Sequence, residues 1–196
     1  MKTIIKYQHL VIKKKMKKTI ILLVICFTYG CKAQTYTLGV DSPNIIPPGS
    51  YFQDSNHILE RFIGTWVFNQ NGQNFKVTLN KIEQRPLSNY YRDDIIGSYI
   101  YSINGNTVVN TEGFIGDNSK IETVFINSNN NKISLFFYDP ERPKIGAKVI
   151  LNYSNVGGVE KLHWELLVTG YLPVLPGESS PQLDFRVPTN CELIKQ

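Results

Sequence analysis

The sequence predicts an all-β protein: an antiparallel up-and-down meander of about eight or nine strands, closed or nearly closed, with one short helix in front of it. Three observations carry this. Apolar residues recur with period two from residue 62 onward. Links between the runs are short and rich in Asn and Gly. No segment has the length and 3.6-residue periodicity of a long helix, so the crossover helices that a parallel sheet requires are missing.

The elements follow in order. Asp54-Ser55-Asn56 offers N-cap side chains for a short helix over about His57 to Arg61. Phe62, Gly64, Trp66 and Phe68 then alternate with Ile63, Thr65 and Val67. Phe75, Val77 and Leu79 alternate with Lys76, Thr78 and Asn80. Further strands are expected over 95–103, around Val108 and Val109, and over 121–127, 132–138 and 147–153. In the next one, Leu162, Trp164, Leu166 and Val168 oppose Lys161, His163, Glu165 and Thr169. A last strand is expected over about 183–187, resuming at 190–194 after Pro188. Asn71-Gly72 and Asn104-Gly105 are the pairs that two-residue hairpins prefer, because both central residues need positive φ. Gly157-Gly158 reads the same way, and Pro173, Pro176, Gly177 and Pro181 mark the longest loop.

The charge is unevenly placed. The chain has 21 Lys+Arg and 16 Asp+Glu, a net +5, but residues 1–34 hold eight lysines and no acid, leaving −3 for residues 35–196. The mature part therefore has no positive face to neutralise phosphates, and a nucleic-acid partner is not expected. Residues 42% hydrophobic and 12% aromatic suffice for a packed core.

The leader explains the lysines. Lys17-Lys18, the apolar run Ile20 to Phe27 and Thr28-Tyr29-Gly30 before Cys31 form a signal peptide over residues 1–30, whose start is either Met1 or Met16. Eight apolar residues are too few to span a bilayer, which takes roughly 20. Cys31 after a small residue resembles the lipidation site of bacterial lipoproteins, although Thr28 stands where such signals usually carry Leu. The alternatives are ordinary secretory cleavage leaving Gln34 first, or an uncleaved anchor. Lipidation implies a membrane partner through the acyl chains. The residues after Cys31 carry no acidic cluster, which suggests the periplasmic side. Residues 31–53, punctuated by Pro43, Pro47, Pro48 and Gly49, read as a flexible tether, and residues 54–196 as the barrel. With Cys26 removed and Cys31 acylated, Cys191 is expected in the core.

A short helix followed by Phe62-Ile63-Gly64-Thr65-Trp66 resembles the Gly-x-Trp signature of lipocalins and lipocalin-like barrels. The resemblance implies that Trp66 plugs the closed end of the barrel and that an Arg near the last strand, here Arg186, stacks on it. The C-terminal helix of many lipocalins is missing. From its Cys-Lys-Ala-Gln junction to the closing Arg-Val-Pro-Thr-Asn-Cys-Glu-Leu-Ile-Lys, the chain is also similar to small uncharacterised lipoproteins of flavobacteria, a likeness that carries location and fold and no activity.

Catalytic chemistry is sparse. His57 and Glu60 share a face only if the short helix forms. His163 lies on the polar face of its strand. Asp93 and Asp94 are adjacent, so a strand sends them to opposite faces, and they read as a polar loop before the third strand. Gly116-Asp117-Asn118-Ser119 lacks the spaced carboxylates of a calcium loop. No catalytic residue, metal or cofactor is therefore expected. The aromatics say more. Tyr99, Tyr101, Phe125, Phe137 and Trp164 are the candidate lining of a pocket for a small apolar ligand, since a barrel of about eight strands either fills with side chains or holds one small molecule. The expected function is binding of such a ligand in the envelope. The alternatives are a protein-interaction or structural module, and a hydrolase. Strands 95–103 and 132–138 carry apolar groups on both faces, so one face of each is a candidate contact surface.

Overall fold

The computed structural model describes residues 34–126, 131–175, 177, 178 and 180–196. The predicted signal peptide and Cys31 lie outside the described residues. The described chain forms eleven strands: β1 (Thr35–Thr37), β2 (Tyr51–Gln53), β3 (Gly64–Gln70), β4 (Gln73–Leu87), β5 (Tyr90–Ile103), β6 (Asn106–Asn110), β7 (Ile121–Ile126), β8 (Lys132–Phe137), β9 (Ile145–Val156), β10 (Val159–Tyr171) and β11 (Asn190–Lys195). Eight of them close an antiparallel barrel in the order β5-β4-β3-β11-β10-β9-β8-β7, with β7 returning to β5. The other three, β1, β2 and β6, decorate it. Among the described residues, no helix is long and apolar enough to cross a membrane.

The hairpins form where the sequence placed positive φ. Asn71 and Gly72 sit at 51° and 75°, and Asn104 and Gly105 at 50° and 81°. Alternation then sorts the side chains. In β10, Leu162, Trp164 and Leu166 are buried, while Lys161, His163 and Glu165 keep partial solvent contact. Ala147, Val149 and Leu151 do the same in β9.

Three expectations need correction. The helix over His57 to Arg61 is a single 3-10 turn, Glu60–Phe62. Asp54 does cap this segment, accepting the N–H groups of Ile58 (2.8 Å) and Leu59 (3.1 Å). However, His57 adopts a φ of 53°, which no α-helical run continues through. Ile58, Leu59 and Phe62 are all buried, so the segment is folded into the barrel as a plug rather than laid on it as an amphipathic helix. Second, residues 34–53, expected as part of a tether, hold β1 and β2. These pair with each other, and β2 pairs in turn with β5, both in parallel. Tyr36 stacks on Phe52 at 5.0 Å, and Leu38 is buried, so this stretch carries apolar anchors that its prolines obscured. Third, residues 183–187 form no strand. Pro181 and Pro188 flank them, and their polar groups bond elsewhere, as described below.

β5 is a long strand of 14 residues, and its second edge is shared. β4 pairs it along nearly its whole length. On the other side β2 takes Tyr91 and Arg92, β7 takes Ile96 and Gly97, and β6 takes Ile100 to Ile103. Two threonine hydroxyls complete the ladder in the gaps. Thr123 Oγ1 accepts the Ile95 N–H (2.8 Å) and donates to the Ile95 carbonyl (3.1 Å). Thr111 Oγ1 does the same for Tyr99, at 2.7 and 3.0 Å. Both threonines are buried. Gly97 marks the crossing point: a Cβ there would meet the Thr78 carbonyl oxygen and Leu79 Cδ2, each at 2.7 Å. Replacing Thr123 with Val keeps the shape and removes both bonds. The stranded Ile95 groups are expected to cost about 1–3 kcal/mol, with faster amide exchange at Ile95. Unchanged exchange would mean that the hydroxyl does not close this seam.

Both barrel ends are shut by the chain itself. Phe62 lies two residues before β3, and its carbonyl accepts the Trp66 indole N–H at 2.8 Å, closing the end where β3 starts. β11 runs antiparallel to β3, so the segment entering it, residues 185–188, lies toward the other end. There Val187 is buried, Phe185 packs edge-on to Phe137 at 6.3 Å, and the Pro188 carbonyl accepts the Trp164 indole N–H.

Candidate functional site

Four of the five candidate pocket residues converge inside the barrel. Tyr99 stacks on Phe137 at 4.8 Å, and Phe137 meets Trp164 edge-on at 5.9 Å. Phe75 joins them, with rings 5.0 Å from Trp164, 6.2 Å from Tyr99 and 6.0 Å from Tyr101. Exposure is 0% for Phe75 and Trp164, 1% for Tyr99 and Phe137, and 6% for Tyr101, so these rings spend their surface on one another. Their polar tips are also engaged. Tyr99 donates to the Tyr138 carbonyl (2.9 Å), and Tyr101 donates to Gln73 Oε1 (2.9 Å). Burial pushes the Tyr99 hydroxyl well above its ordinary range, and the Asp139 carboxylate adds to this. Phe75 was visible in the alternation of its strand but not as the hub of this cluster. Only the pairing of β4 with β5, which sets Phe75 opposite Tyr101, reveals it. The side chain of Phe125 lies outside the described residues.

The Gly-x-Trp residues have clear physical roles. Gly64 holds a φ of 128°, a conformation that L side chains rarely adopt. Trp66 is fully buried, edge-on to Tyr153 at 6.4 Å. The cation over its ring is Lys195, with Nζ 5.2 Å from the ring, and not Arg186. Lys195 pairs directly with Trp66 across the β11–β3 ladder, whereas Arg186 sits before β11. Cys191, Leu193 and Lys195 share one face of β11, but it is the β11–β3 register that sets Lys195 beside Trp66.

Arg186 is instead the latch of the opposite end. Its Nε lies 2.9 and 3.1 Å from the two Asp139 oxygens, and its Nη2 bonds the same carboxylate. Its Nη1 reaches the Val108 carbonyl (3.2 Å) and Glu141 Oε1 (2.9 Å). Asp139 ends the β8 path and is buried, so this bidentate pair ties the 172–189 segment to the barrel.

The ionisable groups that sequence reading placed in a polar loop are buried in β5. Asp93 and Asp94 are 2% and 0% exposed, and they do face opposite ways. Asp93 accepts the Tyr51 hydroxyl (2.7 Å), the Asp54 N–H (2.9 Å) and the Gln84 N–H (3.1 Å), which pins the N-terminal strands and the β4 bulge at Gln84. Burial, with Asp93 beside it, raises the Tyr51 hydroxyl. Asp94 accepts from Arg92 (3.1 and 3.0 Å) and Arg85 (3.4 Å), and Arg85 reaches Glu122 of β7 at 2.8 Å. Burial raises the Asp94 carboxyl, and the two arginines pull it back. Every acceptor here is engaged in joining strands. His57 and Glu60 do not act together: Glu60 bonds Lys81 at 3.2 Å, and His57 points to solvent. His163 pairs with Glu192 at 2.7 Å on the outer face. Burial pushes the Cys191 thiol up to about 12, the mark of an inert core cysteine. Among the described residues, no three His, Cys, Asp or Glu groups cluster as a metal site needs.

Outside, exposed apolar side chains are scattered over several elements, and two groups of them bear on function. On β8, Phe136 and the following Tyr138 are exposed, with rings 6.1 Å apart. At the end of β10 and beyond it, Tyr171, Leu172, Val174, Leu175 and, further on, Leu183 are exposed. This second stretch is not slack. Leu172 N–H bonds the Lys144 carbonyl (2.8 Å), Lys144 Nζ reaches Glu178 (2.9 Å), and Glu178 also accepts the Leu175 N–H (2.8 Å). The Glu178 carboxylate is turned into the loop, while Leu172, Val174 and Leu175 are exposed.

A single family accounts for the full barrel and for the segment before it. The chain belongs to DUF6705, a family of unknown function, which matches residues 16–196. No curated protein and no solved structure matches the chain. Membership of DUF6705 thus brings no activity with it. The DUF6705 match opens at Met16 and takes in the apolar run, Cys31 and all eleven strands.

Proposed function

We propose that this member of DUF6705 is an exported, lipid-anchored envelope protein whose barrel works without catalysis, by contact with a protein partner through its exposed apolar loop. The observation that carries this reading is where the apolar surface is spent. A ligand carrier needs room among Tyr99, Tyr101, Phe137 and Trp164, and those rings are in contact with one another, with both barrel ends closed. Apolar surface is instead exposed on the outside, and Tyr171, Leu172, Val174 and Leu175 in the braced stretch, with Leu183, are a run of it. Monomeric proteins seldom expose contiguous apolar patches of this kind without using them. Export and lipidation are supported by the leader: lysines, a short apolar run and Gly30-Cys31. The family match beginning at Met16 agrees with a compact signal peptide starting there.

A photo-crosslinking residue at position 175, introduced in cells, tests the contact. The reading predicts a discrete adduct at 175 and none at position 161, on the polar outer face of β10. Absence of any adduct at 175, together with stoichiometric, saturable binding of a fluorescent fatty acid, would replace this reading with the carrier.

A further inference from the structure

We propose that the loop between β1 and β2 rests on the bilayer surface, so that Val40 and Ile45 enter the lipid interface. This rests on the lipidation of Cys31 proposed above. Three peptide steps separate Cys31 from Gln34, a reach of about 11 Å even when fully extended. A lipid on Cys31 therefore holds the start of β1, and the loop that follows it, close to the headgroups. That loop suits such a surface. Residues 34–53 contain one charged side chain, Asp41, in a chain that is 19% charged overall. The Asp41 carboxylate is turned back onto the Thr37 N–H.

The loop is also built to present apolar groups. Leu38 is buried and Ile46 packs against the core, which fixes the loop from both sides. The Val40 and Asp41 N–H groups bond the Thr37 carbonyl, Ser50 Oγ bonds the Pro47 carbonyl (2.6 Å), and Gly49 N–H bonds Asn89 (2.6 Å). Between these anchors Val40 is 66% exposed and Ile45 82%. Two aliphatic side chains held outward by an ordered, nearly uncharged loop, one short step from an acylated residue, match the chemistry of an interfacial contact. Several acyl chains together anchor a protein stably, so the loop contact adds orientation of the barrel on the surface rather than the anchoring itself.

The test uses the full chain, reconstituted into phosphatidylethanolamine–phosphatidylglycerol vesicles whose acyl chains are brominated. Ile45→Cys carries an environment-sensitive fluorophore in one sample and Leu175→Cys in another. Cys191 is buried and Cys31 is blocked by its lipid, so neither competes for the label. Intact mass confirms the acylated chain. The proposal predicts blue-shifted emission and loss of most of the fluorescence at position 45, with position 175 unquenched. An acylated protein with position 45 unquenched, or with both positions quenched alike, overturns the docking. A mass lacking the acyl groups overturns the lipid reading on which it rests, and the two failures are told apart by that mass.

Discussion

Trp66→Ala is expected to lower the unfolding free energy by about 3–5 kcal/mol, read as the shift of a urea transition. Trp66 is among the largest fully buried side chains, and its loss removes more than volume. The indole N–H holds the Phe62 carbonyl, so truncation frees the plug formed by Ile58, Leu59 and Phe62. The edge contact with Tyr153 and the Lys195 ammonium over the ring go with it. Set against a typical domain stability of about 5–15 kcal/mol, such a loss leaves a marginal protein. Trp66→Phe keeps an aromatic plug and should cost less. Lys195→Met should cost less still, because the pair with Glu160 is half exposed and the cation–π contact is worth only about 0.5–2 kcal/mol. A loss below 1 kcal/mol for Trp66→Ala would show that this end of the barrel is not plugged as described.

Arg186→Ala carries the second large effect, about 3–5 kcal/mol, because it abandons a buried carboxylate. The Asp139 side chain is 2% exposed and has Arg186 as its charged partner, with the Glu141 N–H as a further donor. The consequence should be local as well as global. The 172–189 segment enters the barrel through Phe185, Arg186 and Val187, so its amides should exchange faster and the Trp164 indole should lose its Pro188 partner. The double variant Arg186→Ala/Asp139→Asn should recover part of the loss, since no buried charge is then stranded. Equal destabilisation of the single and double variants would mean that the pair is not the latch.

The barrel was legible in the sequence because antiparallel strands with one wet face write a period of two, and hairpins write Asn-Gly. Leu162, Trp164 and Leu166 against Lys161, His163 and Glu165 needed nothing else. What was not legible depended on pairing across distance. Asp93 and Asp94 looked like a loop because charge usually means solvent, and only Tyr51, Gln84, Arg85 and Arg92, brought in from other strands, make their burial tolerable. Thr111 and Thr123 look like ordinary strand residues until the second edge of β5 is seen to lack a continuous partner. The prolines at 43, 47 and 48 concealed the strands on either side of them, because Pro reports on the loop and not on what flanks it. Lys195 was overlooked in favour of Arg186 because the register between β11 and β3 is set by a closure that no local pattern encodes. Tyr99, Tyr101, Phe137 and Trp164 gather around Phe75, but alternation cannot say whether inward rings enclose a space or fill it.

The proposed envelope role turns on one residue outside the barrel. Intact-mass spectrometry of protein purified from detergent extracts of a native-type host reads it directly. The account predicts a mature chain that begins at Cys31 and carries the added mass of its acyl groups. A chain beginning unmodified at Gln34, or one retaining its leader, would contradict it and remove the membrane from the account of how this barrel works.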